Sequence, residues 1–142
     1  MYIEKLEVKG FGKLTDLSLM FDRGLNIIYG NNESGKTSLQ WFIKGMLFGL
    51  KGGRISKDGV LPPLRRYKPW NGGNFGGVLE YRLDNGELFR IERNFNIGSV
   101  KVFDAYFNDI TTSFEQSRER GAHFAEKHLG ISDVCFDKTV FI

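Results

Sequence analysis

The sequence predicts an α/β domain in which a mixed sheet, built largely of antiparallel strands, packs against one amphipathic helix. Three observations predict it. Two stretches near the start alternate in the manner of strands, apolar positions recur at helical spacing after Thr37, and an Asn-Gly dipeptide separates two further alternating stretches near the middle.

Tyr2 to Val8 alternates, and Leu17 to Phe21 does so again after a glycine-containing turn at Gly10 to Lys13, which reads as an antiparallel pair. Leu25 to Tyr29 is short and mostly apolar and suits a buried strand. Leu39, Phe42, Ile43, Met46 and Leu47 then mark one buried helix face, with Gly49 placed to end the helix. Lys51 to Trp70 contains Gly52-Gly53 and Pro62-Pro63 and reads as an extended loop. Val78 to Leu83 and Leu88 to Arg93 flank Asp84-Asn85-Gly86-Glu87, a strong hairpin signal, and Val100 to Phe103 adds a third strand. Thr112 or Ser113 is expected to cap a helix running through Phe114, Phe124 and Leu129 to Gly130, with Gly121 as its weak point. Ser132 begins a last segment that ends in Thr139-Val140-Phe141-Ile142.

At 142 residues the chain supports one domain, residues 1–142, with its own core. Eighteen Gly and thirteen Phe stand out and imply many tight turns around a bulky aromatic core. The net charge of +3 is small, yet Lys51, Arg54, Lys57, Arg65, Arg66 and Lys68 face only Asp58 in their segment, which is therefore more basic than the chain as a whole. That loop reads either as a ligand for DNA phosphates, as a cover over a bound nucleotide, or as a solvated loop. The start has no signal-peptide pattern and no apolar run approaches a membrane span, so a cytoplasmic, membrane-free setting is expected. Cys135 alone offers neither a disulfide nor a zinc set and reads as a small core residue. His123 and His128 lie off the spacing of a helical metal pair.

Gly30-Asn31-Asn32-Glu33-Ser34-Gly35-Lys36-Thr37 fits G-x-x-x-x-G-K-[ST] in full, with a strand before it and a helix after it. Glycines let backbone N–H groups turn inward onto phosphate oxygens, and the helix adds its positive end to the same place. The pattern assigns Gly30, Asn31, Asn32, Glu33, Ser34, Gly35, Lys36, Thr37 and the adjoining Ser38 to a nucleoside triphosphate such as ATP. Lys36 would reach the β- and γ-phosphates and the Thr37 hydroxyl would ligate Mg²⁺. Spending Met1 to Gly24 on an antiparallel hairpin before this loop favours an ABC-type ATPase head over a small GTPase or kinase.

These residues resemble the N-terminal lobe of the SMC/SbcC/RecF/RecN class of DNA-repair ATPases, most of all its bacterial YhaN-type members. The likeness rests on Tyr2 to Phe21, on Gly24 to Thr37, on Met46 to Gly49, and on Tyr67-Lys68-Pro69-Trp70. Arg90, Arg93-Asn94-Phe95 and Leu129-Gly130-Ile131, followed by Phe136 and Thr139 to Ile142, extend it. The resemblance implies that a basic residue after the first strand approaches the phosphates. Gly12 stands where Arg is often found, which leaves Lys13 as the candidate. It also implies that Asn32 contacts nucleotide, and that a Q-loop glutamine would follow Ile142. The Leu-Ser-Gly-Gly signature, coiled coil and Walker B motif of such heads are absent, and Asp104 lacks the following Glu that a Walker B carboxylate would have.

The implied protein is a lobe of a larger ATPase that acts when two heads sandwich ATP. Its partners would be a second head in a homodimer, its own C-terminal lobe, DNA, and by analogy a nuclease subunit. The lobe alone is expected to bind nucleotide without hydrolysing it, with no catalytic residue within these 142. Two rivals stay open. A self-contained small P-loop kinase or NTPase would need a catalytic base and a second Mg²⁺ carboxylate, and a non-catalytic DNA-binding module would use the basic loop.

Overall fold

The computed structural model describes residues 1–24, 26, 35–52, 55–118, 121–132 and 136. Five strands form one sheet in the order β2-β1-β3-β4-β5: β1 (Tyr2–Phe11), β2 (Leu14–Met20), β3 (Gly76–Arg82), β4 (Leu88–Asn94) and β5 (Ser99–Phe103). Every described pairing is antiparallel, so the opening pair, the Asn-Gly hairpin and the third strand stand as the sequence predicts. The predicted strand at 25–29, which would make the sheet mixed, lies outside the described residues, as does Cys135.

One face of the sheet is apolar and one is charged, because paired residues share a face. Leu6 pairs with Leu79, which pairs with Ile91, which pairs with Val102, and all four are fully buried. On the opposite face Lys5 pairs with Glu80 and Glu80 with Arg90. There Arg90 bridges Glu80 at 2.8 Å and Glu92 at 3.1 Å, while Arg82 meets Glu4 at 2.9 Å.

The helix α1 (Lys36–Phe48) lies on the apolar face and buries Leu39, Phe42, Met46 and Leu47, the predicted stripe. Gly49 ends it with φ 81°, its N–H bonded to the Gly45 carbonyl. Phe42 reaches the sheet at Gly77, where a Cβ would overlap the Glu7 carbonyl of β1 and stand 3.0 Å from the ring edge, so the missing side chain admits both the close strand and the ring. Arg93 on β4 is buried and donates from Nε to the Met46 carbonyl at 2.8 Å. That carbonyl belongs to the last turn of α1, where no intrahelical donor is available and the helix dipole favours a cation.

Two expectations are corrected. The basic segment is not a featureless loop: it contains a helical turn, α2 (Pro63–Arg66), with Pro63 at the first helical position, where a missing N–H costs nothing. Nor does one long helix run from Thr112 to Leu129. Thr111–Ser113 is a 3₁₀ turn, Gln116–Ser117 (β6) pairs with Gly121–Ala122 (β7), and only α3 (Phe124–Leu129) is α-helical. Gly121 adopts φ 70°, and Val100 occupies the space its Cβ would need. The residues from Glu115 to Arg120 carry no apolar side chain with which to hold a helix on the core. Gly130 does end α3, in the left-handed conformation.

Candidate nucleotide site

The N-terminus of α1 follows directly on Gly35. Gly35 precedes it in the left-handed region (φ 93°, ψ 17°) and gives its carbonyl to the Leu39 N–H at 2.9 Å. Among the described residues no side chain caps this end and the first turn carries no acidic residue, so its N–H groups and positive dipole suit an anion. Lys36 and Thr37 form the first helical residues, Thr37 exposed and Ser38 buried. Gly30, Asn31, Asn32, Glu33 and Ser34 lie outside the described residues.

The turn between β1 and β2 lies against this helix end. A Cβ on Gly35 would stand 2.7 Å from Leu14 Cδ2 and 3.9 Å from Lys13 Cε, and one on Gly12 would stand 3.3 Å from Ser38 Oγ. Lys13 therefore brings its Cε beside Gly35, where the sequence pattern puts phosphate. The Gly12 position admits the Ser38 hydroxyl because it has no side chain of its own.

A third element closes on the same turn. The Gly12 N–H donates to the Tyr67 carbonyl at 2.6 Å. The Tyr67 ring is sandwiched between Phe11, 5.0 Å away and inclined by 15°, and Trp41 of α1, 5.6 Å away and inclined by 29°. Lys44 lies 4.8 Å from the Trp41 ring centre. Sequence reasoning assigned Tyr67 no role beyond the family likeness. The available signal was a large aromatic inside a polar, basic stretch, a type that folded proteins bury when they can.

Other candidates have structural duties. The Asp104 carboxylate accepts from the N–H groups of Tyr106 and Asn108, each at 2.9 Å, and these bonds, that of Asn108 foremost, hold its pKa below the ordinary carboxylate value. It ties a surface turn. His128 sits 4.3 Å from Phe89, ring centre to ring centre, and its Nδ1 is 2.5 Å from the Tyr81 hydroxyl. Burial first, and the nearby Lys127 second, push its pKa down. Among the described residues no group of three His, Cys, Asp or Glu side chains could hold a metal ion, and no helix is long and apolar enough to cross a membrane.

A family model described as an AAA domain matches residues 5–135. The chain is 35% identical over 92 residues to protein YhaN of Bacillus subtilis, a match covering 64% of this chain and 8% of YhaN. It is 32% identical over 104 residues to the DNA replication and repair protein RecF of Acetivibrio thermocellus, covering 72% of this chain and 26% of RecF. It is 26% identical over 147 aligned positions to the DNA double-strand break repair Rad50 ATPase of Thermoplasma volcanium, covering 100% of this chain and 14% of Rad50. The chain thus spans a minor part of the length of each of these relatives. With the match extending over most of the chain, this chain belongs to the AAA-domain family and within it to the SMC/RecF/Rad50-like ATPases, whose N-terminal region it resembles.

Proposed function

We propose that this chain is the ATP-binding lobe of an SMC/SbcC-like ATPase that works on DNA in repair or DNA-end handling. The observation that carries the reading is the N-terminus of α1, which among the described residues has no side-chain cap and no acid in its first turn and follows directly on Gly35 with Lys13 beside it. The nucleotide triphosphate would lie on the backbone of Gly30 to Gly35, with Lys36 on its outer phosphates and Ser38 behind the loop. Lys13 would add a second cation from the β1–β2 turn. Thr37 offers one exposed hydroxyl, a hard oxygen donor of the kind Mg²⁺ accepts when phosphates and water supply the rest of its shell.

Among the described residues no carboxylate cluster of the kind hydrolysis needs is brought to α1, so ATP binding without turnover is the expected behaviour of the lobe. The remainder of the parent, a second head and a nuclease subunit would complete the active assembly, in the cytoplasm. The relatives named for DNA replication and repair support DNA as the parent's substrate.

Calorimetric titration of the chain with ATP and Mg²⁺, beside Lys36→Ala and an assay for released phosphate, tests this. Binding that Lys36→Ala abolishes, with no phosphate released, is expected. Lys36-dependent turnover by the chain alone would overturn the lobe reading in favour of a self-contained NTPase.

A further inference from the structure

We propose that Arg65, Arg66, Lys68 and Trp70 form a rigid basic and aromatic strip that binds single-stranded DNA, its phosphates on the three cations and one unpaired base on the Trp70 indole. The inference deepens the DNA-handling part of the proposed function and rests on it.

Trp70 is 87% exposed, yet it does not stand on slack chain. The segment is fastened on both sides of Lys68. On one side Tyr67 is buried between Phe11 and Trp41 and bonded to Gly12. On the other, Pro69 is buried with its Cγ 3.3 Å from where a Gly10 Cβ would stand. The Gly72 N–H reaches back to the Pro69 carbonyl at 3.2 Å and puts Trp70 and Asn71 at the corners of a tight turn, while the Asn71 side chain accepts from the Gly73 N–H at 3.0 Å. Arg65 and Arg66 sit on the helical turn α2, held by the Leu64 N–H bonded to the Lys51 carbonyl at 3.0 Å. The strip is therefore presented in a fixed form, and an indole held out in water without slack is one positioned for contact.

The charges point the same way. On the sheet, Arg82 and Arg90 are each paired with glutamates. Among the described residues, Arg65, Arg66 and Lys68 have no carboxylate, hydrogen-bond or ring partner for their side chains. Asp58 is the one acid between Lys51 and Gly73. An apolar protein partner would have to strip water from these three cations, whereas a phosphodiester chain neutralises them and releases counterions. The ring selects the strand form, because stacking needs a free base face and the bases of a duplex already stack on each other.

The test is fluorescence anisotropy of a labelled oligothymidylate, and of a hairpin duplex, titrated with the chain. A Trp41→Phe background leaves Trp70 as the only indole, so its emission reports contact directly. The expected result is binding of the oligothymidylate with quenching of Trp70 and an affinity that falls with salt. Trp70→Ala should weaken single-strand binding about tenfold and leave the duplex signal unchanged, with Trp70→Phe intermediate. Arg65→Glu with Arg66→Glu should weaken both forms. Duplex binding together with single-strand binding indifferent to Trp70→Ala would overturn the strip alone. No binding of either DNA would overturn the strip and the DNA-handling reading together. A Trp70→Ala chain that changes oligomeric state in sedimentation while keeping its DNA affinity would assign the indole to a protein contact, and the proposal would fall.

Discussion

Gly35 carries two constraints at once. Its φ of 93° costs a residue with a side chain about 1–2 kcal/mol, and a Cβ there would press on Leu14 at 2.7 Å. Gly35→Ala should therefore lower the urea midpoint and weaken ATP binding in calorimetry, since the same residue sets the direction in which α1 starts. His128 supplies a second test at this scale. Its pKa lies below the ordinary 6.5 in the folded chain because burial disfavours the imidazolium. The unfolded chain then takes up the proton first as pH falls, so the stability from neutral His128 is fully present above about pH 7.5, declines below about 6.5, and flattens once the folded form also protonates. Melting temperatures measured across that range should show this decline in the wild type and a smaller one in His128→Leu.

Arg93 is the joint between two elements. Arg93→Ala would leave the Met46 carbonyl buried without its donor, at a cost of about 1–3 kcal/mol read by chemical denaturation. It should also loosen the end of α1 remote from the nucleotide. The sheet and α1 were legible in advance because each signal there was local and periodic: the Leu39 to Leu47 stripe, the Asn85-Gly86 turn, the alternation of β1. The stretch after Asp109 was not. Thr112 and Ser113 look like helix caps, but Val102 donates to the Thr111 hydroxyl and Gln116 donates to the Thr111 carbonyl, contacts to a strand and a turn that spacing cannot show. The lack of apolar side chains from Glu115 to Arg120 was the readable warning. In the candidate site, the glycine pattern proposes Lys36 and Thr37, and what the structure adds is that they open α1. The approach of Lys13 to Gly35 and of Tyr67 to Trp41 depends on how β1 crosses α1, a tertiary fact with no local trace.

A single buried cluster joins the inner face of the sheet, α1 and α3. The whole chain should consequently lose far- and near-ultraviolet circular dichroism in one coincident transition. The bond between Gly12 and Tyr67 acts at this same scale. It pinches the backbone at a neck, so that the chain from Lys13 to Arg66, with β2, α1 and the basic segment, forms a single lariat tied at its base to the end of β1. What hangs inside such a tie can change length without disturbing the strands outside it, because loop closure grows costlier only slowly with added residues. Natural insertions and protease nicks between Lys51 and Leu61 should be absorbed there. Lys68 and Trp70 lie beyond the tie, and Arg65 and Arg66, at the lariat's last turn, are clamped by the bond from Leu64 to Lys51, so the strip would keep its place while the segment between Lys51 and Leu61 varies from one relative to the next.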